Sequence, residues 1–471
     1  METPRDISTL LQALPDDVAQ RLVFVTARRW FGGRSREIVS AECTVQPWLG
    51  DPPGGDGAAV RLEMLRIEYA DGGAETYLLT TTYAELEIDG HENALVGRFP
   101  ATEGGDLLYA YDAAHVRAAA SLLIQPIATD TSAGGMTGHL VAEIDATAPP
   151  LALSGEQSNT SIVYGNALLK LFRRIQAGRN PDVTAHEAFA REGLTVAPAL
   201  LGWAEGTWTD ADGEHTGDLA MATRFLSSAT DGWAQAEASM RDLLAEGDLH
   251  ADEVGGDMAA EMHRLGETTR LMHEGLARAF GTALWTDNDL TELAERLRSR
   301  LATAAERVPQ LEAHAAAVGK AYDALASLTH PVQVQRVHAD FHLGQTLRAI
   351  AGWKIIDFEG EPGTHYDSRA GYDSPWRDVA GMLRSVDYAA KHLIVGAHPG
   401  PQEQFRAQEW GERNRQAFLR GYRSGSADAD PAEAVLLTAY ELDKAVYEVV
   451  YEANMRPDWI SIPLSALERL A

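Results

Sequence analysis

The sequence predicts a two-lobed α+β enzyme. Strand-like segments dominate the chain up to about Asp231, and helical periodicity dominates after it. One polar loop, "RVHADFHLGQ" from Arg336 to Gln345, interrupts the helices between two β-branched runs. With 471 residues, 45% hydrophobic and 23% charged, the chain can bury a sizeable core. Its length suggests roughly two to four structural units.

The opening stretch is amphipathic and leads to "ARRWFGGRSREIVSAE", a cationic segment around Trp30 and Phe31. Val60 to Thr82 reads as a hairpin about the turn Asp71-Gly72-Gly73. Further strands are expected to about Pro150, "GHLVAEIDA" among them. "QSNTSIVYG" and "ALLKLFRRI" form another hairpin about Gly165-Asn166, a helix follows Pro181, and "GDLAMATRFLSS" returns as a strand. Helices are then expected over "WAQAEASMRDLLAEG", "MAAEMHRLGETTRLMHEGLARAF", "LTELAERLRSRLATAAERV", "SPWRDVAGMLRSVDYAAKHL" and "EAVLLTAYELDKAVYEVVYEANMR".

Composition excludes several classes. A net charge of −29 argues against a nucleic-acid partner but not against a nucleotide, since one cationic pocket or a metal reverses the sign locally. No apolar run approaches the roughly 20 residues that span a bilayer. The start, "METPRDISTLLQALPDDVAQ", lacks the basic and apolar regions of a signal peptide. Cys43 is the single cysteine, so no intrachain disulfide forms, which fits a cytoplasmic location. A monomer is expected.

The polar loop carries the chemistry. Phosphoryl transfer needs positioning and charge neutralisation more than covalent catalysis. A protein kinase meets that need with a strand lysine, a loop aspartate, an amide five residues on and a downstream metal-binding aspartate. Here Lys170 ends "ALLK", Asp340 sits in the loop, Gln345 lies five residues beyond it, and Asp357 follows in "IIDFEG". Asp340 can face an acceptor hydroxyl, while Gln345 and Asp357 offer the hard oxygens that Mg²⁺ favours. Glu359 projects to the same side if extension continues. His338 reads as a hydrogen bonder that orders the loop, and His342 as a candidate for the acceptor pocket. Two plainer readings compete: an ordinary polar turn, and a transition-metal site on His338 and His342.

Ser158, Asn159, Thr160 and Ser161 lie in "EQSNTSIVYGN", where hydroxyl, amide and backbone donors can cover phosphate; a solvent-facing turn is the alternative. In the last long helix Tyr440, Lys444, Tyr447 and Tyr451 share one face. Such a stripe is usually core, yet tyrosine and lysine together also suit a carbohydrate. Arg456 and Trp459 extend the theme.

These stretches, with "RRWFGGRSRE" and "AYELDKAVYEVVYEANMRPDWISIPL", resemble the actinobacterial maltokinases, relatives of the aminoglycoside phosphotransferases, over essentially the whole chain. The resemblance implies a eukaryotic-protein-kinase-like fold, with an N-terminal cap over 1–100, an intermediate nucleotide-binding lobe over 101–226 and a helical C-terminal lobe over 227–471. It implies ATP- and Mg²⁺-dependent phosphorylation of maltose at its anomeric hydroxyl, in a route from trehalose to α-glucan, with a trehalose-isomerising enzyme as partner. A glucosamine kinase and a silent nucleotide- or glucan-binding partner are the other readings. Carried over, Asp340 acts on the sugar hydroxyl, and Gln345, Asp357 and Glu359 serve the metal. Lys170, with Glu187 as its acidic partner, reaches the phosphates. The strand near Thr223 to Phe225 holds adenine, and Lys444, Tyr447, Tyr451 and Arg456 hold maltose. The family writes glycine where Ala339 stands, and alanine resists positive φ. Tyr372 and Trp376 replace a more leucine-like stretch that bears on the acceptor.

Overall fold

The computed structural model describes residues 8–51, 57–100, 106–153, 158–246, 249–329, 331–360, 371–396, 400–424 and 431–470. The chain divides into two compact units, Met1–Glu187 with Pro198–Phe225, and Ala188–Ala197 with Leu226–Ala471.

The first unit is built on two antiparallel sheets. In one, Ile38–Gly50, Ala59–Tyr69, Ala74–Ala84, Leu107–Asp112 and Leu95–Pro100 lie in that spatial order, with Arg174–Ile175 paired to Ala74–Ala84. The expected hairpin about Gly72 is its centre, and Gly72 takes φ +83°, which the turn requires. The other sheet runs Ser132–Ala133, Met136–Leu140, Leu200–Asp210, Gly213–Arg224, Ala167–Phe172, Asn159–Tyr164 and Leu151–Ala152. A shared core joins Leu62, Met64 and Leu78 of the first sheet to Ile162, Leu169 and Ala220 of the second. The strand expected over "GHLVAEIDA" stops at Leu140. The N–H groups of Val141 and Ala142 both donate to the Leu201 carbonyl, at 2.8 and 3.0 Å, and that doubling ends the ladder.

One buried arginine ties the two sheets together. Arg173, wholly shielded from solvent, donates to Asp112 Oδ2 at 2.6 Å and to Thr160 Oγ1 at 2.7 Å. Asp112 in turn accepts from Thr80 at 3.0 Å. Burial opposes ionisation of Asp112, but the guanidinium outweighs it and holds the carboxyl below its ordinary range.

The second unit is mainly helical: Gly232–Ala245, Ala259–Phe280, Asp287–Arg307, Glu312–Ala326, Trp376–Lys391, Pro401–Tyr422, Pro431–Met455 and Ser461–Leu470. The five helices expected after Asp231 are all present. Ala259–Phe280 and Pro401–Tyr422 cross closely: a Cβ on Gly421 would meet the His263 carbonyl at 1.9 Å, so only glycine fits. Strand Val332–Arg336 leads into the polar loop, and the hairpin Thr346–Ala349 and Gly352–Ile355 leads out of it. Among the described residues no helix is long and apolar enough to cross a membrane.

Replacing Arg173 with methionine leaves Asp112 buried and unpaired. Urea unfolding should show a loss of about 3–5 kcal/mol. A loss under ~1 kcal/mol would mean that the arginine does not join the sheets.

Candidate active site

The polar loop is held from one helix face. Asp378, Gly381 and Ser385 follow one another at i, i+3 and i+7 along Trp376–Lys391. Asp378 accepts the N–H groups of His338 (2.7 Å) and Ala339 (2.8 Å), and Ser385 Oγ accepts that of Leu343 at 3.1 Å. Between them, a Cβ on Gly381 would lie 2.6 Å from the Phe341 carbonyl, so glycine admits the loop there. Asp378 also meets His273 Nε2 at 2.9 Å, and His273 Nδ1 meets the Tyr422 hydroxyl at 2.9 Å. Burial raises the carboxyl's pKa, but His273 and then His338 outweigh it and keep it low. Sequence reasoning assigned Asp378 no role.

That clamp fixes an unusual backbone. Ala339 sits at φ +70°, the conformation alanine resists, at a cost of about 1–2 kcal/mol. Two bonds to a carboxylate, each worth about 1.5–3 kcal/mol, offset it. Asp340, directly after, reaches the surface of the loop. The histidines hold its two ends: His338 Nε2 donates to the Ile356 carbonyl at 2.9 Å, and His342 Nδ1 accepts the Gly344 N–H at 3.1 Å. Burial, foremost, lowers the His342 pKa against the opposing charge of Asp340, which keeps its ring neutral.

Gln345 closes the turn Leu343–Gln345, and its Nε2 donates to Asp357 Oδ2 at 3.0 Å. The Ile356 N–H donates to the Gln345 carbonyl at 3.0 Å, which fixes the two segments in register. Extension does not continue past Asp357: this residue takes φ +68° and the chain turns at Phe358 and Glu359. The turn nevertheless leaves carboxylate oxygens of Asp357 and Glu359 within 4.8 Å of each other. An amide and two carboxylates fit Mg²⁺, which would neutralise charge on a phosphoryl group.

The long helix Pro431–Met455 carries the remaining candidates. Its tyrosine stripe divides: Tyr440 is buried against Asp373, whereas Tyr447 and Tyr451 are 61% and 42% exposed. Their rings stack with centroids 6.4 Å apart and 21° between planes. Lys444 Nζ lies 3.6 Å from Asp340 Oδ1 and 5.6 Å from the Tyr447 ring centre. Arg456 pairs with Glu452 at 2.7 Å and lies over the rings of Tyr451 and Trp459. Asp340, Lys444 and Tyr447 share a cavity of about 570 Å³, inside the range of small-ligand sites. Tyr372 and Trp376 do not line it. Tyr372 bonds the Phe280 carbonyl, and Trp376 packs on Tyr422.

In the first unit, Lys170 has a different partner from the one expected. Its Nζ lies 2.8 Å from Asp182 Oδ2, and Glu187 pairs with Arg179 at 2.9 Å instead. Asn180 accepts the Asp182 N–H at 2.8 Å where the helix Pro181–Arg191 begins, so Asp182 falls in the first turn beside the lysine. Glu187, five residues on, is rotated by about 140°. Burial disfavours ionised Asp182, but Lys170 and His186 hold its carboxyl far below the usual range.

Thr160 faces inward and accepts from Arg173, and Asn159 and Ser161 are also buried. Only Ser158 of the four is exposed, while Glu156 and Gln157 lie outside the described residues. Thr223 is buried in its strand. The N–H groups of Arg224 and Phe225 donate to the Ala199 and Asn166 carbonyls and so are not open to a ligand.

Comparison with known proteins shows the family. The maltokinase N-terminal cap domain matches residues 24–115, and the phosphotransferase enzyme family matches residues 255–427. A glucosamine kinase of Streptacidiphilus jiangxiensis is 31% identical over 320 residues, covering 65% of this chain and 70% of its own. The chain belongs to the phosphotransferase enzyme family. A glucosamine kinase of Mycolicibacterium smegmatis is 27% identical over 329 residues, or 67% of this chain and 78% of that one. Two solved structures share the fold: a glucosamine kinase in complex with glucosamine, ADP and inorganic phosphate (TM-score 0.66, 22% identity), and crystal form B of a glucosamine kinase (TM-score 0.67, 23% identity). Each match covers 95% of this chain and 98% of the other. This phosphotransferase therefore has the α+β, two-lobed, kinase-like fold.

Three substitutions test the loop. Asp340→Asn should cut turnover by about 10²–10⁴-fold and leave nucleotide affinity near that of the parent; near-normal turnover would remove Asp340 from the chemistry. Ala339→Gly should fold as stably as the parent or up to ~1 kcal/mol better. Ala339→Val should lose about 1–3 kcal/mol in thermal unfolding. Equal tolerance of both residues would show that position 339 does not need positive φ.

Proposed function

We propose that this phosphotransferase moves the γ-phosphoryl group of ATP to the anomeric hydroxyl of maltose, giving maltose 1-phosphate and ADP. The observation that carries the reading is exposed Tyr447, which lines the cavity with Lys444 and Asp340 and stacks on Tyr451 outside that lining. Stacked, solvent-facing aromatic rings suit the flat faces of sugar rings, and a core stripe would have buried them.

In this reading Asp340 orients the hydroxyl and takes its proton as the O–P bond forms and the bond to ADP breaks. Lys444 steadies the oxygen as negative charge grows on it. Lys170, fixed by Asp182, offers its charge to the α/β-phosphates, while Gln345, Asp357 and Glu359 hold Mg²⁺. A supply of maltose from isomerised trehalose and use of the product in α-glucan synthesis belong to the same proposal, as does contact with the isomerising enzyme.

The relatives' names favour a second acceptor, glucosamine. Charge in the cavity disfavours it. Arg300, Lys444 and Arg377 on its wall pair with Asp443, Asp340 and Asp373, and Arg307 is left as the excess cation among these groups. A protonated amino sugar would enter an excess of like charge, whereas neutral maltose would not.

An acceptor screen with labelled ATP and Mg²⁺ over maltose, glucose, glucosamine and trehalose should give maltose the highest kcat/KM. Phosphorylation of glucosamine but not maltose would overturn the acceptor and spare the reaction class.

A further inference from the structure

The acceptor cavity has a second wall, which the chemistry above does not use. Helix Asp287–Arg307 buries Leu290, Leu293, Ala294, Leu297 and Leu301 on its core side. Over its last turns Arg300, Thr303, Ala304 and Arg307 fall at i, i+3, i+4 and i+7, and all four line the cavity. Three polar side chains, interrupted by Ala304, thus line this side of the cavity.

An ion pair ties this wall to helix Pro431–Met455: Arg300 lies 2.9 Å from Asp443. Thr303 and Arg307, one and two turns along their helix from Arg300, line the same cavity as Tyr447 and Val450. From Arg300 to Arg307 the wall extends about 10 Å, the reach of two linked pyranose rings and twice that of one. Arg307 is exposed, and among the described residues it enters no ion pair, so its guanidinium is offered to the cavity. Its planar fork of donors suits a pair of adjacent sugar hydroxyls.

We infer that Arg307, with Thr303, reads the non-reacting ring of a two-ring acceptor in the cavity it shares with Tyr447, and so selects a disaccharide over a monosaccharide. The inference rests on the sugar-kinase reading above and adds the residue that sets acceptor length.

The test compares maltose with glucose in the full-length protein. Arg307→Ala should lower kcat/KM for maltose about tenfold or more, through KM, while the ratio of maltose to glucose falls by a similar factor. Thr303→Trp, which fills the same end, should lower that ratio too, and Arg307→Lys should restore only part of it. An equal fall for both acceptors, or no change in the ratio for either variant, overturns the inference while leaving a maltokinase. A parent enzyme with no activity on maltose overturns the acceptor reading and this inference together.

Discussion

The active region depends on helix Trp376–Lys391, which grips two functional elements at once. On one face Asp378, Gly381 and Ser385 hold the catalytic loop. On another, Arg384 donates to Glu448 at 2.6 Å and Tyr388 donates to Glu452 at 3.0 Å, so two residues four apart meet two residues four apart on the acceptor helix. Arg384 is wholly buried and also donates to Asp387 at 2.7 Å, so any slip in register would strand charges away from water. The 3.6 Å approach of Lys444 to Asp340 follows from these two grips, not from any strong bond between the pair. A rigid helix of this kind supplies the positioning on which phosphoryl transfer depends.

Strain at the site is local and well supported. Ala339 and Asp357, the residues before Asp340 and at the proposed metal position, are both non-glycine residues at positive φ. Each lies beside a fixed contact: the Asp378 clamp for the first, and the Gln345 amide for the second. His338 joins the two segments through the Ile356 carbonyl. The loop and the metal turn therefore form one unit whose side-chain directions are set by the backbone.

Much of this was legible in the sequence, because strand, loop and strand are short-range features. The order Asp340, Gln345, Asp357 and the tight spacing between them placed the loop between its strands, whereas the turn after Asp357 stands where continued extension was expected. Contacts made through the backbone left less trace: Asp378 acts on N–H groups, which no side-chain motif records. Lys170 was visible, but its partner depended on where a helix starts, and Asn180 starts it early enough to deliver Asp182 in place of Glu187. Periodicity put Tyr440, Tyr447 and Tyr451 on one face without separating the buried ring from the exposed ones. That division arises from neighbouring helices far away in sequence. Thr160 was misread for the same reason, since its partner Arg173 belongs to a buried network reaching Asp112.

In the proposed reaction one cavity presents the anomeric hydroxyl of a disaccharide to Asp340. The most direct measurement is a phosphorus–proton correlation spectrum of the product formed from maltose, ATP and Mg²⁺. Its phosphorus nucleus should couple to the anomeric proton of the reducing ring. Coupling to a C6 methylene, or to any proton of the other ring, would contradict it.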